Sequence, residues 1–174
     1  MKQQITDYIN SPEFQNTFTV LSKSIVSPGP QVFTLNQLIN NPSIKVKGGI
    51  YFLYDDNQHG LYKKEALWYV GITGTSTLRD RVLKHWKRTI GTFNLKHNAI
   101  VPSFNYFENW LNLRGHGGKN GIWQNNCQVL WYETVNLTKD EMEYLELKCI
   151  ISSLEPILNE PRFSIFGVAQ LNSL

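Results

Sequence analysis

A single glutamate near the end of the chain interrupts the apolar face of a predicted helix. At about 100° per residue, Glu146 falls in the same sector of that helix as Leu145 and Cys149. Burying a lone carboxylate is costly, so a side chain at this position must pair with a cation or hold a metal. Glu143 borders the same sector and is the rival carboxylate. Pairing of Glu146 with an arginine for purely structural reasons remains an open alternative.

A second set of candidate residues forms a basic stripe on an earlier helix, which is predicted to begin after the cap Thr77. A phosphate backbone could lie along such a stripe, and a solvated positive face is the alternative. Arg79 points instead toward the apolar side of the first turn. The members of the stripe recur at helical spacing: Arg81, Lys84, His85 and Arg88.

Two tyrosines, each close to a glycine, lie in two predicted strands. Gly49-Ile50-Tyr51 opens the first strand, and Tyr69-Val70-Gly71 belongs to the second. Because side chains alternate in direction along a strand, both tyrosines can share one face of the sheet. Aromatic packing in the core is the alternative interpretation.

Taken in order, these segments resemble the sequence motifs of the GIY-YIG nucleases. The two tyrosine segments are similar to the motif that names the family, and residues 78–85 are similar to its first helix. Residues 144–159, YLELKCIISSLEPILN, are similar to its final helix. The resemblance covers residues 48–161, with a longer hairpin between the tyrosines than the family usually has. Carried over position by position, it implies six site residues: Tyr51, Tyr69, Arg81, His85, Glu146 and Asn159.

The resemblance also implies how these residues act. Arg81 is preferred to Arg79 because it keeps both spacings of the family motif, three residues after Leu78 and four before His85. Its planar guanidinium would bind a non-bridging phosphate oxygen. Tyr51 would be the general base, with His85 relaying its proton.

The metal of the site is implied in the same way. Glu146 would bind one divalent ion, Mg²⁺ or alternatively Mn²⁺, which stabilises the leaving 3′ oxygen. Tyr69 would orient water or phosphate, and Asn159 would support the site. One catalytic carboxylate argues against a two-metal nuclease, which needs several.

The implied function is a metal-dependent endonuclease that cuts double-stranded DNA. The compact size resembles that of the family's stand-alone type II restriction endonucleases, so sequence-specific cleavage is expected. A repair- or homing-type nuclease and a non-catalytic nucleic-acid-binding module on the same fold are the alternatives. A homodimer on DNA and a cognate methyltransferase are further partners that the resemblance allows. The expected DNA contacts come from the basic helix and from a Gly-rich loop, which is alternatively a plain surface loop: Lys84, Arg88, Arg114, His116, Lys119 and Asn120.

The order of the predicted elements indicates the fold that positions these residues. The pattern predicts an α+β (mixed α/β) fold, with a small three-stranded, mainly antiparallel sheet flanked by helices. A helical arm, 1–47, precedes a catalytic domain, 48–161, which includes an irregular insertion at 91–127, and a tail follows at 162–174. The predicted strands are Ile50–Tyr54, Leu67–Ile72 and Val129–Val135, and capped helices follow Thr34, Thr77 and Thr138, the last running to about Leu154.

Bulk composition narrows the class of protein further. A chain of 174 residues is one domain in length. A formal charge of only +3 means that any basic surface must be local. The two cysteines, Cys127 and Cys149, cannot form a four-ligand zinc site and are expected to be buried structural thiols. The first residues carry no signal-peptide core and no apolar run has membrane-spanning length, so a cytoplasmic protein with no membrane partner is expected.

Overall fold

The computed structural model of the chain describes residues 1–20, 29–55, 66–89, 127–134 and 137–152. Within these residues four strands form one antiparallel sheet in the order β1-β4-β2-β3, and five helices flank it. The protein is therefore a mixed α+β structure. The elements are α1 (Lys2–Ile9), α2 (Pro12–Val20), β1 (Gln31–Thr34), α3 (Leu35–Asn40), β2 (Gly49–Asp55), β3 (Ala66–Thr73), α4 (Leu78–Thr89), β4 (Cys127–Glu133) and α5 (Lys139–Ile150).

The prediction of a three-stranded sheet was wrong by one strand. Strand β1 pairs with β4 at the edge of the described sheet, from Gln31 opposite Trp131 to Thr34 opposite Gln128. It has four residues, of which the first two are exposed, so it carries no apolar alternation that a sequence pattern could reveal. Pairing with β4 makes this segment a strand, and that pairing is a long-range contact.

Local capping signals predicted the helix starts correctly. Thr34 and Thr138 each form a capping box, with Gln37 and Glu141 respectively. The end of α5 was predicted about four residues too late, because Ile150 is its last residue. There the Ser152 hydroxyl donates to the Cys149 carbonyl at 2.7 Å, which satisfies an acceptor that the ending helix leaves without a partner.

Two hydrophobic clusters cover the two faces of the sheet. Helices α1, α2 and α5 pack on one face, and α3 and α4 pack on the other. The segment predicted as an N-terminal arm belongs to the core of the first face through four residues: Ile5, Tyr8, Ile9 and Phe14. The Tyr8 hydroxyl donates to the Lys148 carbonyl at 3.2 Å, so α1 also ties to the helix that carries Glu146.

Further predictions from the sequence concern the two cysteines, membrane-spanning helices, and the segments 91–127 and 162–174. Cys127 and Cys149 are free and buried, as predicted. Among the helices that the structure describes, none has both the length and the apolar character needed to cross a membrane. The 91–127 insertion lies outside the described residues except for Cys127, which begins β4, and the 162–174 tail lies wholly outside them.

Candidate active site

The two tyrosines lie on the sheet face that α4 covers. Tyr51 is on β2 and Tyr69 is on β3, and their ring centroids are 6.1 Å apart. His85 of α4 packs on Tyr69, with ring centroids 5.0 Å apart. Its Nε2 lies 3.5 Å from the Tyr51 hydroxyl oxygen, at the outer limit of a hydrogen bond. An imidazole therefore sits beside both phenols.

Gly71 makes room for the Tyr51 hydroxyl. The two residues are directly opposite each other in the β2–β3 pair. A Cβ atom built on Gly71 would overlap the hydroxyl oxygen and the adjoining ring carbon of Tyr51. The phenol therefore lies across β3 in the space that a side chain would fill. A glycine at this position is a steric requirement of the tyrosine's orientation.

Arg81 links the tyrosine to the carboxylate. Its Nε donates to the Ile72 carbonyl at 3.2 Å, which anchors the guanidinium beside β3. From there its positive charge opposes the rise in pKa that burial causes at Tyr51 and at Glu146. The charge of one α4 side chain therefore acts on groups of both β2 and α5.

The environment of the Glu146 carboxyl group opposes its ionisation. Burial raises the pKa of the Glu146 carboxyl to about 7, the Arg81 charge works against that shift, and Glu143 adds to it. The rival carboxylate Glu143 is half-exposed and forms an ion pair with Lys139 at 3.3 Å. Glu146 is therefore the more enclosed of the two carboxylates, and it is the one whose pKa the charge of Arg81 lowers.

The Tyr51 phenol is neutral in this environment. It is 1% exposed, and burial raises its pKa well above the ordinary range. Arg81 opposes that shift, while Glu146 reinforces it. A neutral phenol does not accept a proton, so Tyr51 needs additional positive charge nearby before it can act as a base.

The described part of the candidate site offers a divalent metal ion one carboxylate, that of Glu146. No group of three or more His, Cys, Asp or Glu side chains that could hold a metal occurs among the described residues. A lone carboxylate suits Mg²⁺, which is commonly bound through one or two carboxylates and completes its shell with water and substrate phosphate. A cation would also favour the ionised form of Glu146, which burial alone disfavours.

The predicted basic stripe is divided by the fold. His85 is 2% exposed and faces the tyrosines, so it is not part of a solvated face. Arg81 turns to the Ile72 carbonyl, and Lys84 is half-buried. Arg88 belongs to α4, but its side chain lies outside the described part of the chain. The other predicted residues outside that part are Arg114, His116, Lys119, Asn120 and Asn159.

Arg79 has a different role from Arg81. It turns away from the tyrosines and donates through a guanidinium nitrogen to the Ile39 carbonyl at 3.2 Å. Ile39 is in α3, so this bond holds α3 against α4. The two arginines of one helical turn therefore separate into one that contacts the site and one that joins two helices.

Comparison of the chain with models of protein families, with curated proteins and with solved structures finds no match. Inference of the function therefore rests on the site residues and their geometry. One positioning residue was not recognised from sequence, because Gly71 was noted only as part of a motif. Its signal is its register opposite Tyr51, which depends on how the hairpin pairs.

Replacing Gly71 with alanine is expected to lower the free energy of unfolding by about 1 to 3 kcal/mol, since the added methyl group must displace the buried Tyr51 ring. Gly74→Ala is the matched control, because a Cβ atom there meets nothing within 4 Å. The control should stay within about 0.5 kcal/mol of the unchanged protein. Urea unfolding measures both, and equal stability of the two variants would contradict the steric role of Gly71.

Proposed function

We propose that this chain is a metal-dependent endonuclease of the GIY-YIG type, which hydrolyses phosphodiester bonds in double-stranded DNA. What supports the proposal is the clustering of Tyr51, Tyr69 and His85 from three elements, with the charge of Arg81 acting on both Tyr51 and Glu146. If the motif resemblance were coincidental, nothing would require these motif residues to cluster. Within this class, we propose a sequence-specific type II restriction endonuclease that acts in the cytoplasm.

The arrangement assigns a task to each side chain. The Arg81 guanidinium, anchored by the Ile72 carbonyl, would bind a non-bridging oxygen of the scissile phosphate. Tyr51 would take the proton of the attacking water, with His85 next to its hydroxyl to receive that proton in turn. A divalent cation held by Glu146 would supply positive charge at the leaving 3′ oxygen. Tyr69, whose ring is tilted against those of Tyr51 and His85, would orient the water or phosphate.

A buried, neutral Tyr51 is also what a non-catalytic module would contain. Its low exposure and raised pKa are those of a core tyrosine. The second candidate function is therefore a nucleic-acid-binding module on the same fold, without hydrolysis. Arg81 and Glu146 argue for the enzyme, because a module has no need of a half-buried carboxylate on which the charge of an arginine acts.

The two functions are separated by incubating supercoiled plasmid and a long linear DNA of known sequence with the protein. Cleavage that requires Mg²⁺ or Mn²⁺ and stops with a chelator is expected, with discrete bands from the linear DNA. A smear would retain the nuclease and exclude sequence specificity. Salt-dependent binding without any cutting would establish the module instead. Neither binding nor cutting would overturn both proposals.

Removing the guanidinium of Arg81 is expected to cost far more activity than removing that of Arg79. Arg81→Ala should lower the single-turnover cleavage rate on the order of 10²-fold or more, because a phosphate-binding group is lost. Arg79→Ala should cleave nearly normally but lose about 1 to 2 kcal/mol of stability with its bond to the Ile39 carbonyl. Cleavage rates and urea unfolding of both variants test this, and equal rates would reverse the assignment.

A further inference from the structure

A pocket of about 540 Å³ lies beside Arg81. The β3–α4 loop and the first turns of α5 form much of its wall. Its apolar lining comes from Ile72, Leu137 and Met142. Two cations, Arg81 and Lys139, and one carboxylate, Glu143, also line it. Neither Tyr51 nor Glu146 is among its described lining residues. The pocket thus adjoins the candidate site through Arg81 and extends beyond it.

The lining has the chemistry of a nucleotide site. Apolar side chains suit a sugar or base, the hydroxyls of Thr75 and Ser76 can donate or accept hydrogen bonds, and the two cations suit phosphates. The volume is in the range that holds a small molecule and is far too small for a duplex. Since Arg81 faces both pocket and site, an occupant must lie next to the phosphate that Arg81 binds.

Lys139 is available for a second phosphate. Its side chain is 82% exposed and its ion pair with Glu143, at 3.3 Å, joins two solvent-facing groups of one helix. Such pairs are weak, so Lys139 can turn to a phosphate with little loss. When no phosphate is bound, the ion pair with Lys139 offsets the negative charge of Glu143, which would otherwise repel an anion from the pocket.

We propose that this pocket receives one nucleotide of the cleaved strand, directly next to the phosphate bound by Arg81, with Lys139 contacting the following phosphate. The nucleoside lies against Ile72 and Met142. This proposal rests on the proposed nuclease function and deepens it, since the pocket would admit a single unstacked nucleotide and hold the strand in register for cutting.

Gly74 offers a way to fill the pocket without disturbing the core. It lines the pocket, is exposed, and has open space where a Cβ atom would be. Gly74→Phe places a ring at the pocket wall, and Gly74→Ala is the matched control with the same backbone change and little added volume. Lys139→Ala tests the second phosphate contact separately.

The probe is a deoxynucleoside 3′,5′-bisphosphate, titrated by calorimetry at millimolar concentration without metal, with inorganic phosphate compared. The wild type should bind the nucleotide more tightly than inorganic phosphate. Gly74→Phe should weaken nucleotide binding by about tenfold or more while retaining phosphate binding, and Gly74→Ala should bind as the wild type does. Lys139→Ala should weaken nucleotide binding and make it less dependent on salt, because one screened charge interaction is lost.

Equal binding of nucleotide and inorganic phosphate, or unchanged nucleotide binding in Gly74→Phe, would overturn the pocket assignment. If Gly74→Phe fails to fold, unchanged nucleotide affinity and salt dependence in Lys139→Ala decide against the pocket in the same way. Cleavage assays on the same proteins keep the two proposals apart. A wild type that cuts DNA but does not bind the nucleotide refutes the pocket alone. A wild type that binds the nucleotide but cuts nothing in Mg²⁺ or Mn²⁺ refutes the nuclease.

Discussion

Replacing Glu146 with glutamine is expected to abolish DNA cleavage and, at the same time, to stabilise the metal-free protein above neutral pH. Glutamine keeps the size of the side chain but cannot carry the charge that binds a divalent ion. Loss of catalysis should therefore be complete in both Mg²⁺ and Mn²⁺, while DNA binding is largely retained. Single-turnover cleavage and DNA binding without metal measure the two effects separately.

The gain in stability follows from the sign of the pKa shift. Burial raises the pKa of Glu146 from the ordinary value of 4.5 to about 7, so between these pH values the folded state holds a proton that the unfolded state has released. Stability therefore falls as the pH rises through this window. Above about pH 7 the full cost is present, on the order of 1 to 3 kcal/mol. Glu146→Gln has no charge to bury, so this fall should disappear from its unfolding profile.

Urea unfolding from pH 4.5 to 8.5, with and without Mg²⁺, tests this expectation. Mg²⁺ should stabilise the unchanged protein at high pH and leave Glu146→Gln unaffected. Glu143→Gln is the matched control: it is three residues away on α5 and half-exposed, so it should alter stability by no more than about 0.5 kcal/mol. Near-normal cleavage by Glu146→Gln, or complete loss only in Glu143→Gln, would show that the wrong carboxylate has been assigned.

Removing the Tyr51 hydroxyl is expected to lower the cleavage rate by roughly 10²- to 10⁴-fold, the usual scale for loss of a positioned base. Tyr51→Phe keeps the ring that packs over Gly71, and the contact between the Tyr51 hydroxyl and His85 Nε2 is long at 3.5 Å. The fold should therefore be nearly unchanged. The loss should appear in the single-turnover rate and not in DNA affinity, because the hydroxyl acts mostly in the transition state.

Two neighbouring variants sharpen this test. Tyr69→Phe should be milder than Tyr51→Phe, since Arg81 shares the task of positioning the phosphate. His85→Ala should be intermediate, because it removes the group next to the Tyr51 hydroxyl but leaves the phenol in place. If Tyr51→Phe cuts as fast as the unchanged protein, the proposed role of Tyr51 as general base is wrong, even though the chain is a nuclease.

Local patterns predicted elements well and failed where an element depends on a distant partner. The strands β2 and β3 and the starts of α3 and α5 follow from apolar runs and from caps such as Thr34 and Thr138. Each of these signals is complete within a few residues. Strand β1 carries no such signal, and it exists because β4 offers it hydrogen bonds across the sheet.

For the candidate residues, too, local patterns indicated the direction of each side chain, whereas tertiary contacts determined its partner. Helical periodicity by itself placed Glu146 in an apolar sector and set Arg81 and Arg79 at different angles, because a helix fixes relative directions over one or two turns. Helical periodicity did not determine which groups these side chains contact. Tertiary packing turned Arg79 to the Ile39 carbonyl and Arg81 to the Ile72 carbonyl beside Tyr51.

The sequence by itself determined which side chains are candidates for chemistry and which local face each one occupies. Only the tertiary structure decided that Tyr51 lies over Gly71, that the charge of Arg81 acts on Glu146, and that Arg81 and Lys139 line one pocket. It also decided that α1 and α2 belong to the core. The physical reason is the distance along the sequence over which each effect acts. Caps and periodicity act within a turn or a strand. Strand register, burial and charge pairing depend on segments about a hundred residues apart, which meet only when the sheet has formed.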